Sequence, residues 1–489
     1  MARIPEEILR HRLPGTEIKK IGGHYYIQHI TSKRLPGAKW PRKVVLGYIG
    51  TVTPEGIVPR KTRRVPADVL PRTKEFGATW AVRALSRDIF EALCRHFPED
   101  APWLYALAVL RCVHPSAMRY AELNFETSYL SELFPHAQLS SRQISRQMKR
   151  FGQSRAPMVA FMREFLKDDP CLQIVDGSAL LCHSKNIADA QLGYNAHGSR
   201  KPQINLLYAL SIGENGKEFA PVFFKRYPGS IRDVSAFSTF RKEMQVRNAL
   251  VIVDKGFQKV ATAEELEREG LGYIMPLRRT SREGSRAPLE QPGLSGFSGR
   301  FLYAGRIIWW WAQPFGKDAA HRYVLYLDES LRHAELAHDA KNVGSESGAE
   351  LAAIQRKQLL CGTFAIRTNQ MDLSAQSLYG LYKLREDIEQ LVDAYKVELG
   401  CATTGMHSDE TLESCLFVNH LALAMAYRVY NRLKKQGMLK KYAVTQTLEQ
   451  ILSKIVVTNV GDGWTLEPAP KACRDALSAM GLPLPTSPE

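Results

Sequence analysis

The sequence has no run of 18 apolar residues, which excludes a membrane-spanning helix. It has no Cys-x-x-Cys pair. Its eight cysteines (Cys94, Cys112, Cys171, Cys182, Cys361, Cys401, Cys415 and Cys473) are widely scattered, which argues against both a disulfide framework and a cysteine zinc site. They are expected to be reduced thiols. The first residues, Met-Ala-Arg-Ile-Pro-Glu-Glu, break any apolar core with charge and proline, so no secretory leader is expected and the chain reads as cytoplasmic. Internal repeats and low-complexity tracts are lacking as well. Acidic residues are the remaining shortage: 50 Asp and Glu face 66 Lys and Arg, a formal net charge of +16. Such a balance favours an anionic polymer or an anionic surface as partner, and with no long apolar run no membrane partner is expected.

What is present is an ordinary globular composition, 45% apolar and 24% charged. A length of 489 residues implies about three domains at ~150 residues each. The charge is concentrated. Residues 1–75 hold sixteen Lys or Arg against six Asp or Glu, a net +10. This is either a solubilising basic arm or a nucleic-acid-binding module, and the remaining residues must decide.

From His24 to Val58 the pattern is of strands, with a basic turn between Lys33-Arg34 and Lys43 and a solvated link, Arg60-Lys61-Thr62-Arg63-Arg64, behind it. Helical periodicity runs from about Thr79 to Lys167. Within it, Leu139-Ser140-Ser141 opens a helix that ends at Phe151 before Gly152. Ile144, Met148 and Phe151 make its apolar face, while Arg142, Arg146, Lys149 and Arg150 gather on another, able to meet phosphates or simply to face solvent.

After Pro170 the period becomes that of strands. Leu172–Ser178, Ile204–Leu210 and Glu218–Phe224 form a meander; then come a helix near Asp233–Val246, an apolar strand from Ala249 to Asp254, a helix at Thr262–Glu269 and a strand at Tyr273–Leu277. That is the element order of a ribonuclease H-like α/β core. Arg278–Arg300 reads as an exposed linker, and strands at Phe301–Ala312, Tyr323–Asp328 and Gly362–Asn369 suggest a β-rich insertion before the final helices, Ser374–Leu399 and Glu410–Lys435. The expected layout is therefore a basic β-rich domain at 1–75, a helical DNA-binding or dimerisation region at 76–170, the first core part at 171–279, an insertion domain at 280–370, the second core part at 371–436 and a C-terminal region at 437–489.

Two carboxylates end apolar strands, Asp176 and Asp254, and a ribonuclease H-like sheet sets those strands side by side. Adjacent carboxylates repel unless they share a cation, so a divalent-metal site is the natural resolution, although strand-end Asp is common in α/β proteins. On a helix, Tyr382, Arg385, Glu389 and Lys396 fall within roughly 60° of arc and about 21 Å of length. Glu386 and Asp393 lie near the same stripe, so geometry alone does not single out Glu389. A solvated charged face with paired i, i+4 residues would look the same. The run Ile307-Ile308-Trp309-Trp310-Trp311 puts Trp309 and Trp311 on one strand face and Trp310 on the other, with packing as the ordinary use. His183, His197, His321, His407 and His420 show no metal-ligand spacing.

The spacing Tyr382-x2-Arg385-x3-Glu389-x6-Lys396 resembles the Tyr-Arg-Glu-Lys signature of DDE transposases of bacterial insertion sequences, the "insertion sequence four" group. Further segments resemble that family in the same order: Ile174–Ser178, Gly193-Tyr194-Asn195 with Pro202-Gln203, Pro228–Asp233, Val253–Phe257 and Gly362–Asn369. Leu46-Gly47-Tyr48-Ile49 is similar to the family's terminal-binding region. The departures are Ser230, where Asn is frequent, and Lys255, where Arg is common.

The resemblance implies a DNA transposase that binds terminal inverted repeats and performs metal-dependent strand cleavage and transfer. Asp176, Asp254 and Glu389 would hold two Mg²⁺ or Mn²⁺ ions, Arg385 and Lys396 would meet phosphates, and Tyr382 would steady the strand. It also implies a homodimer on double-stranded DNA, both element ends and target, in a bacterial cytoplasm at the nucleoid. Lys33, Arg34, Lys43, Arg63, Arg64 and the Arg142–Arg150 helix are the expected DNA contacts outside the centre, and Trp309 or Trp311 could stack on a flipped base. The competing reading is a DNA-binding repressor of the same fold without strand transfer.

Overall fold

In the computed structural model, the described residues are 4–33, 40–59, 71–166, 171–194, 200–213, 218–231, 233–246, 248–253, 260–279, 281, 285–315, 320–340, 348–385, 403–461 and 463–488. They form two units. One is Met1–Arg72 with Val460–Gly463; the other is Thr73–Asn459 with Trp464–Glu489.

The smaller unit is an antiparallel meander of β1 (Thr16–Ile21), β2 (His24–Lys33), β3 (Arg42–Thr53) and β4 (Gly56–Pro59), paired in that order. Gly22 and Gly23, both at positive φ, make the tight β1–β2 turn. Ile8, Ile18, Ile27 and Val52 close a small apolar core. The strands expected between His24 and Val58 are present, and β1 adds a fourth that the basic composition hid.

The larger unit begins at Thr73, within β5 (Arg72–Glu75), and continues in a helical layer that includes Gly77–Leu85, Arg87–His96, Ala101–Val113, Ser141–Phe151 and Ala156–Glu164. Ala101–Val113 is buried along almost its whole length because it carries Trp, Tyr, Leu, Val and Ala on every side. The expected cap of Ser141–Phe151 is there: the Gln143 amide donates to Ser140 Oγ at 3.4 Å, and Ile144, Met148 and Phe151 are buried.

The core sheet follows the expected element order. It contains β6 (Cys171–Cys182), β7 (Gln191–Tyr194), β8 (Arg200–Ile212), β9 (Phe219–Pro228), β10 (Ala249–Val253), β11 (Gly272–Leu277), β12 (Gly299–Tyr303), β13 (Arg306–Phe315), β14 (His321–Asp328), β15 (Thr363–Thr368) and β16 (Thr403–Thr404). The β6, β8 and β9 strands are antiparallel, and β6, β10 and β11 are parallel. The 280–370 stretch, expected as a separate β-rich insertion, continues this sheet: β11 pairs with β15, then β14, β13 and β12 follow. The physical reason is β11 itself. Its residues 274–277 pair antiparallel with residues 368–365 of β15, which occupies the hydrogen-bonding edge that β11 would otherwise leave open. The Arg278–Arg300 stretch, expected as a linker, is partly folded, with Leu289 and Phe297 packed against Leu277, Tyr323 and Leu325.

A 27-residue helix, Asp409–Lys435, packs on β9 and on the helical layer. A capping box starts it, Ser408 accepting from the Thr411 amide and Thr411 Oγ1 from the Ser408 amide, both at 3.3 Å. Finally β17 (Val456–Asn459) and β18 (Trp464–Leu466) make a short sheet ordered β18-β17-β5. Among the described residues no helix is long and apolar enough to cross a membrane, and Cys94, Cys112, Cys182, Cys361, Cys415 and Cys473 take part in no disulfide.

Gly152 allows the Ser141–Phe151 helix to end against this long helix. A Cβ there would lie 1.9 Å from the Glu410 carbonyl oxygen and 2.8 Å from Ser414 Oγ. Ser414 Oγ in turn donates to the Met148 carbonyl at 2.6 Å. Gly152 has a φ of −76°, so space and not backbone freedom demands the glycine. Gly152→Ala is expected to lower stability by about 1–3 kcal/mol, the usual range for overpacking, read as a fall in melting temperature. An unchanged melt would mean that the two helices separate at no cost.

Candidate active site

The site is built on the middle of the core sheet. Strands β6 and β10 are parallel, with Ile174 opposite Ile252 and Val175 opposite Val253, and all four residues are buried. Asp176 follows at once on β6, with 22% of its side chain exposed. The strand thus holds the carboxylate firmly while leaving one side of it to water. Asp254 lies outside the described residues, as do Glu389 and Lys396.

The second wall is the helix over residues 375–385. Ser374 starts it by accepting the Ser377 amide at 3.0 Å, and Tyr326 on β14 donates its hydroxyl to the Ala375 carbonyl at 2.8 Å. Tyr382 packs its ring on Phe364 of β15, centroids 4.5 Å apart. Arg385 Nη1 donates to the Tyr382 hydroxyl at 3.4 Å, and Arg385 Nη2 lies 3.6 Å from Asp176 Oδ1. Three of the residues expected at the centre, Asp176, Tyr382 and Arg385, therefore converge, although about 200 residues separate the first from the others. Tyr382 and Arg385 are 5% and 9% exposed, so they are preset by packing and need little ordering when a ligand arrives.

Asp176 supplies hard oxygen donors, the kind that Mg²⁺ and Mn²⁺ select. Among the described residues no group of three or more His, Cys, Asp or Glu is placed to hold a metal. A carboxylate facing a guanidinium at 3.6 Å is also a simple ion pair.

On the other side of Asp176, Tyr208 of β8 is its register partner, so both side chains leave the same sheet face. Tyr208 stacks on His420 of the long helix at 6.1 Å, and Phe224 lies 5.3 Å from the same imidazole. Burial, and after it the positive charge of Arg155, pushes His420 down to about 3. Its Nδ1 is buried and has no hydrogen-bond partner among the described residues. The apolar Leu416-Phe417-Val418 run ahead of it is the sequence signal for such a buried imidazole.

Behind this layer lies an ion lattice that sequence reasoning missed. Glu413, with 6% of its side chain exposed, is shared by Arg155 and by Arg226, whose Nε donates to Glu413 Oε2 at 2.7 Å. Arg226 Nη1 also meets Asp189 at 2.6 Å and Asp409 at 2.7 Å, while Arg155 reaches Glu243 at 2.9 Å. Desolvation raises Asp189 from its ordinary value against the pull of Arg226. The glycines quoted above are also explained. A Cβ on Gly193 would lie 2.1 Å from the Gly229 carbonyl oxygen, to which Asn205 donates at 3.2 Å.

Of the expected outer contacts, Arg142, Arg146, Lys149 and Arg150 are exposed, and Arg150 pairs with Asp100. In the smaller unit Lys33 and Lys43 are exposed, and Lys43 pairs with Glu17. Arg34, Arg63 and Arg64 lie outside the described residues. The tryptophans are engaged in packing. Trp309 donates its indole N–H to Glu329 at 2.9 Å beneath the Arg300 guanidinium, and Trp311 joins Tyr323 at 6.1 Å.

His420 makes a pH prediction. An unfolded chain protonates a histidine near 6.5, whereas the folded chain does so only at about 3, so acid favours the unfolded state. Its contribution to stability is fully present above pH 6.5 and is lost as pH falls towards 3. Between pH 7 and pH 5 the loss is about 2 kcal/mol at ~1.4 kcal/mol per pH unit. Urea melts of the wild type and of His420→Leu should therefore differ in their pH dependence over that window, the variant lacking this acid-side slope. Parallel slopes would show that the imidazole is protonated in the fold.

Residues 167–425 match the family described as transposase DDE domain. Among solved structures, the chain is similar to a piggyBac transposase in a cryo-EM structure of a synaptic complex with hairpin DNA. The identity is 11%, the alignment covers 78% of this chain and 77% of that one, and the TM-score is 0.39. No curated protein matches the chain. The family match spans more than half of the sequence and contains Asp176, Tyr382 and Arg385: the chain belongs to the transposase DDE domain family.

Proposed function

We propose that this protein is a DNA transposase that binds the terminal inverted repeats of a bacterial insertion sequence and cuts and joins DNA strands with divalent metal ions. The observation that carries the reading is the convergence of Tyr382 and Arg385 on Asp176 inside the region that matches the family. The spacing of Tyr382, Arg385, Glu389 and Lys396 supports assignment to the "insertion sequence four" group.

Asp176, Asp254 and Glu389 would hold two Mg²⁺ or Mn²⁺ ions, which when bound make a water or 3′-hydroxyl nucleophilic and stabilise the departing oxygen. The residues of the chain supply the rest. Phosphoryl transfer needs positioning and charge neutralisation more than covalent chemistry. Arg385 is suited to grip a non-bridging oxygen beside the scissile bond, since its guanidinium is planar and already oriented by Tyr382 and Asp176. Lys396 would neutralise a neighbouring phosphate. The Tyr382 ring, locked on Phe364, presents its hydroxyl to the strand.

The exposed Arg142, Arg146, Lys149 and Arg150 and the basic Met1–Arg72 unit are read as the grip on duplex DNA, with Lys33, Arg34, Lys43, Arg63 and Arg64 as contacts. Two ends must be held for strand transfer, so the working form is read as a homodimer on DNA, at the nucleoid of a bacterial cytoplasm. The repressor reading has no observation of its own in its favour.

The test is incubation of the purified protein with labelled DNA carrying the element ends, with Mg²⁺ or with EDTA. Metal-dependent 3′-end cleavage and joined products are expected. Asp176→Asn and Glu389→Gln should abolish both and leave end binding intact, and Arg385→Gln should cut kcat/KM about 10- to 100-fold, the worth of one charge-assisted hydrogen bond. Turnover retained in Glu389→Gln would transfer the role to Glu386 or Asp393; turnover retained in Asp176→Asn would defeat the reading.

A further inference from the structure

The long helix Asp409–Lys435 ends in an unbalanced run. From Arg428 to Lys441 the sequence holds six basic residues and no acidic one. Two of the six are committed within the protein: Arg428 pairs with Asp88, and the Lys434 ammonium lies 4.0 Å from the centre of the Phe219 ring and 5.8 Å from that of Tyr430. The other four, Arg432, Lys435, Lys440 and Lys441, are exposed and have no ion pair with any described residue. Elsewhere in the larger unit Arg155, Arg226, Arg241 and Arg279 are each met by carboxylates.

The four are held on a firm base. Arg432 and Lys435 continue the stripe that Arg428 begins, spaced i, i+4 and i+7, and Leu433 between them is buried. A Schellman turn closes the helix: the Met438 amide donates to the Leu433 carbonyl at 2.9 Å and the Gly437 amide to the Lys434 carbonyl at 3.0 Å, with Gly437 at a φ of +67°. The amides of Lys441 and Tyr442 then both donate to the Met438 carbonyl at 3.0 Å. Tyr442 is buried, and the Lys441 ammonium lies 5.0 Å from the centre of its ring. Lys440 and Lys441 are thereby fixed beside the helix end. The helix dipole favours cations in its last turn, which covers Arg432, Lys434 and Lys435. It gives no reason for Lys440 and Lys441 beyond the turn, and like charges set this close repel.

We infer that this helix end is a sequence-independent contact for duplex DNA, with Arg432, Lys435, Lys440 and Lys441 on its phosphates. Exposed cations with no exposed aromatic ring among them suit a regular phosphate backbone, and contacts of that kind carry no sequence information. The inference rests on the transposase reading for the identity of the polyanion. Lys435 stands fifteen residues, about 22 Å of helix, beyond His420, so the contact is separate from the phosphate that Arg385 is read as gripping. Strand transfer joins an element to DNA of unrelated sequence, and a grip that ignores sequence is what such target DNA requires.

The experiment measures binding of the full chain in EDTA by fluorescence anisotropy over a range of salt, with a fluorescein-labelled duplex of arbitrary sequence as probe. The double variant Arg432→Gln, Lys435→Gln should flatten the plot of log K against log salt by about 1.8, at roughly 0.9 per lost phosphate contact, and Lys440→Gln, Lys441→Gln by the same amount. All four positions are exposed and Gln is a good helix former, so the fold is kept. The pair Arg432→Lys, Lys435→Arg preserves both charges and should preserve the slope. So should Arg268→Gln, Arg356→Gln, which removes two exposed charges elsewhere in the same unit. An unchanged slope in either Gln variant of the helix end, or an equal flattening in the Arg268 and Arg356 variant, would overturn the contact. It is overturned as well if vesicles rich in phosphatidylserine bind the wild type and not these Gln variants while the duplex slopes stand, since the partner is then a membrane. A wild-type protein that never cuts DNA with Mg²⁺ would defeat the transposase reading and leave the EDTA slopes to decide this one.

Discussion

A carboxylate removed from water must be met by cations, and Glu413 is where this protein meets that demand. Arg155 comes from the start of the Ala156–Glu164 helix, Arg226 from β9 and Glu413 from the long Asp409–Lys435 helix, while Glu243 and Asp189 complete the arginines' hydrogen bonds. Loss of one partner would leave a buried charge uncompensated, a penalty of about 3–5 kcal/mol. The lattice therefore fixes the helical layer, the long helix and one edge of the sheet in a single arrangement. Apolar burial supplies more energy, but it tolerates sliding; three side chains that share charge do not.

The reactive centre inherits this rigidity through direct contacts. The Arg155 guanidinium lies 5.3 Å from the Phe224 ring, Phe224 abuts His420, and His420 stacks on Tyr208, which stands opposite Asp176 in the sheet. From the other direction, Phe364 and Tyr326 position the helix that carries Tyr382 and Arg385. Asp176 is thus held between two packed layers, each anchored in a different part of the sheet. For chemistry that depends on placing phosphates to within a fraction of an ångström, such immobility is worth more than any single added contact.

Much of this was legible in the residues. Apolar runs that end in a carboxylate gave the first half of β6 and the approach to Asp254, because a strand buried on both faces has few other compositions; β6 runs on to Cys182, so Asp176 is a mid-strand residue and not the strand end expected of it. The Ser140 cap and the Ile144, Met148, Phe151 spacing gave a helix that folds as expected. The proximity of Tyr382 and Arg385 to Asp176 followed from the family resemblance and not from periodicity, which could not distinguish a binding stripe from a solvated one. Pairing between distant segments was hidden. Nothing local in Thr363–Thr368 tells that it lies between β11 and β14, so a continuous sheet reads as an insertion. The Glu413 lattice was hidden for the same reason, since Arg155, Arg226 and Glu413 look like surface charges until the fold removes their water. The tryptophans had two readings, and their contacts are those of packing.

The order of strands in the sheet also sets a schedule for synthesis. β11 is complete at Leu277, yet its outer neighbour, β15, begins at Thr363 and is itself flanked by β14. A nascent chain that has paired β6, β8, β9, β10 and β11 presents an apolar, hydrogen-bonding edge to the cell until the stretch from 278 to 368 has been added, roughly 5–18 s at ~5–20 residues per second. During that interval any strand of suitable character, including β15 from a neighbouring ribosome on the same message, can occupy the edge. Slow elongation beyond Leu277 would therefore lower the yield of folded protein without altering one residue of it.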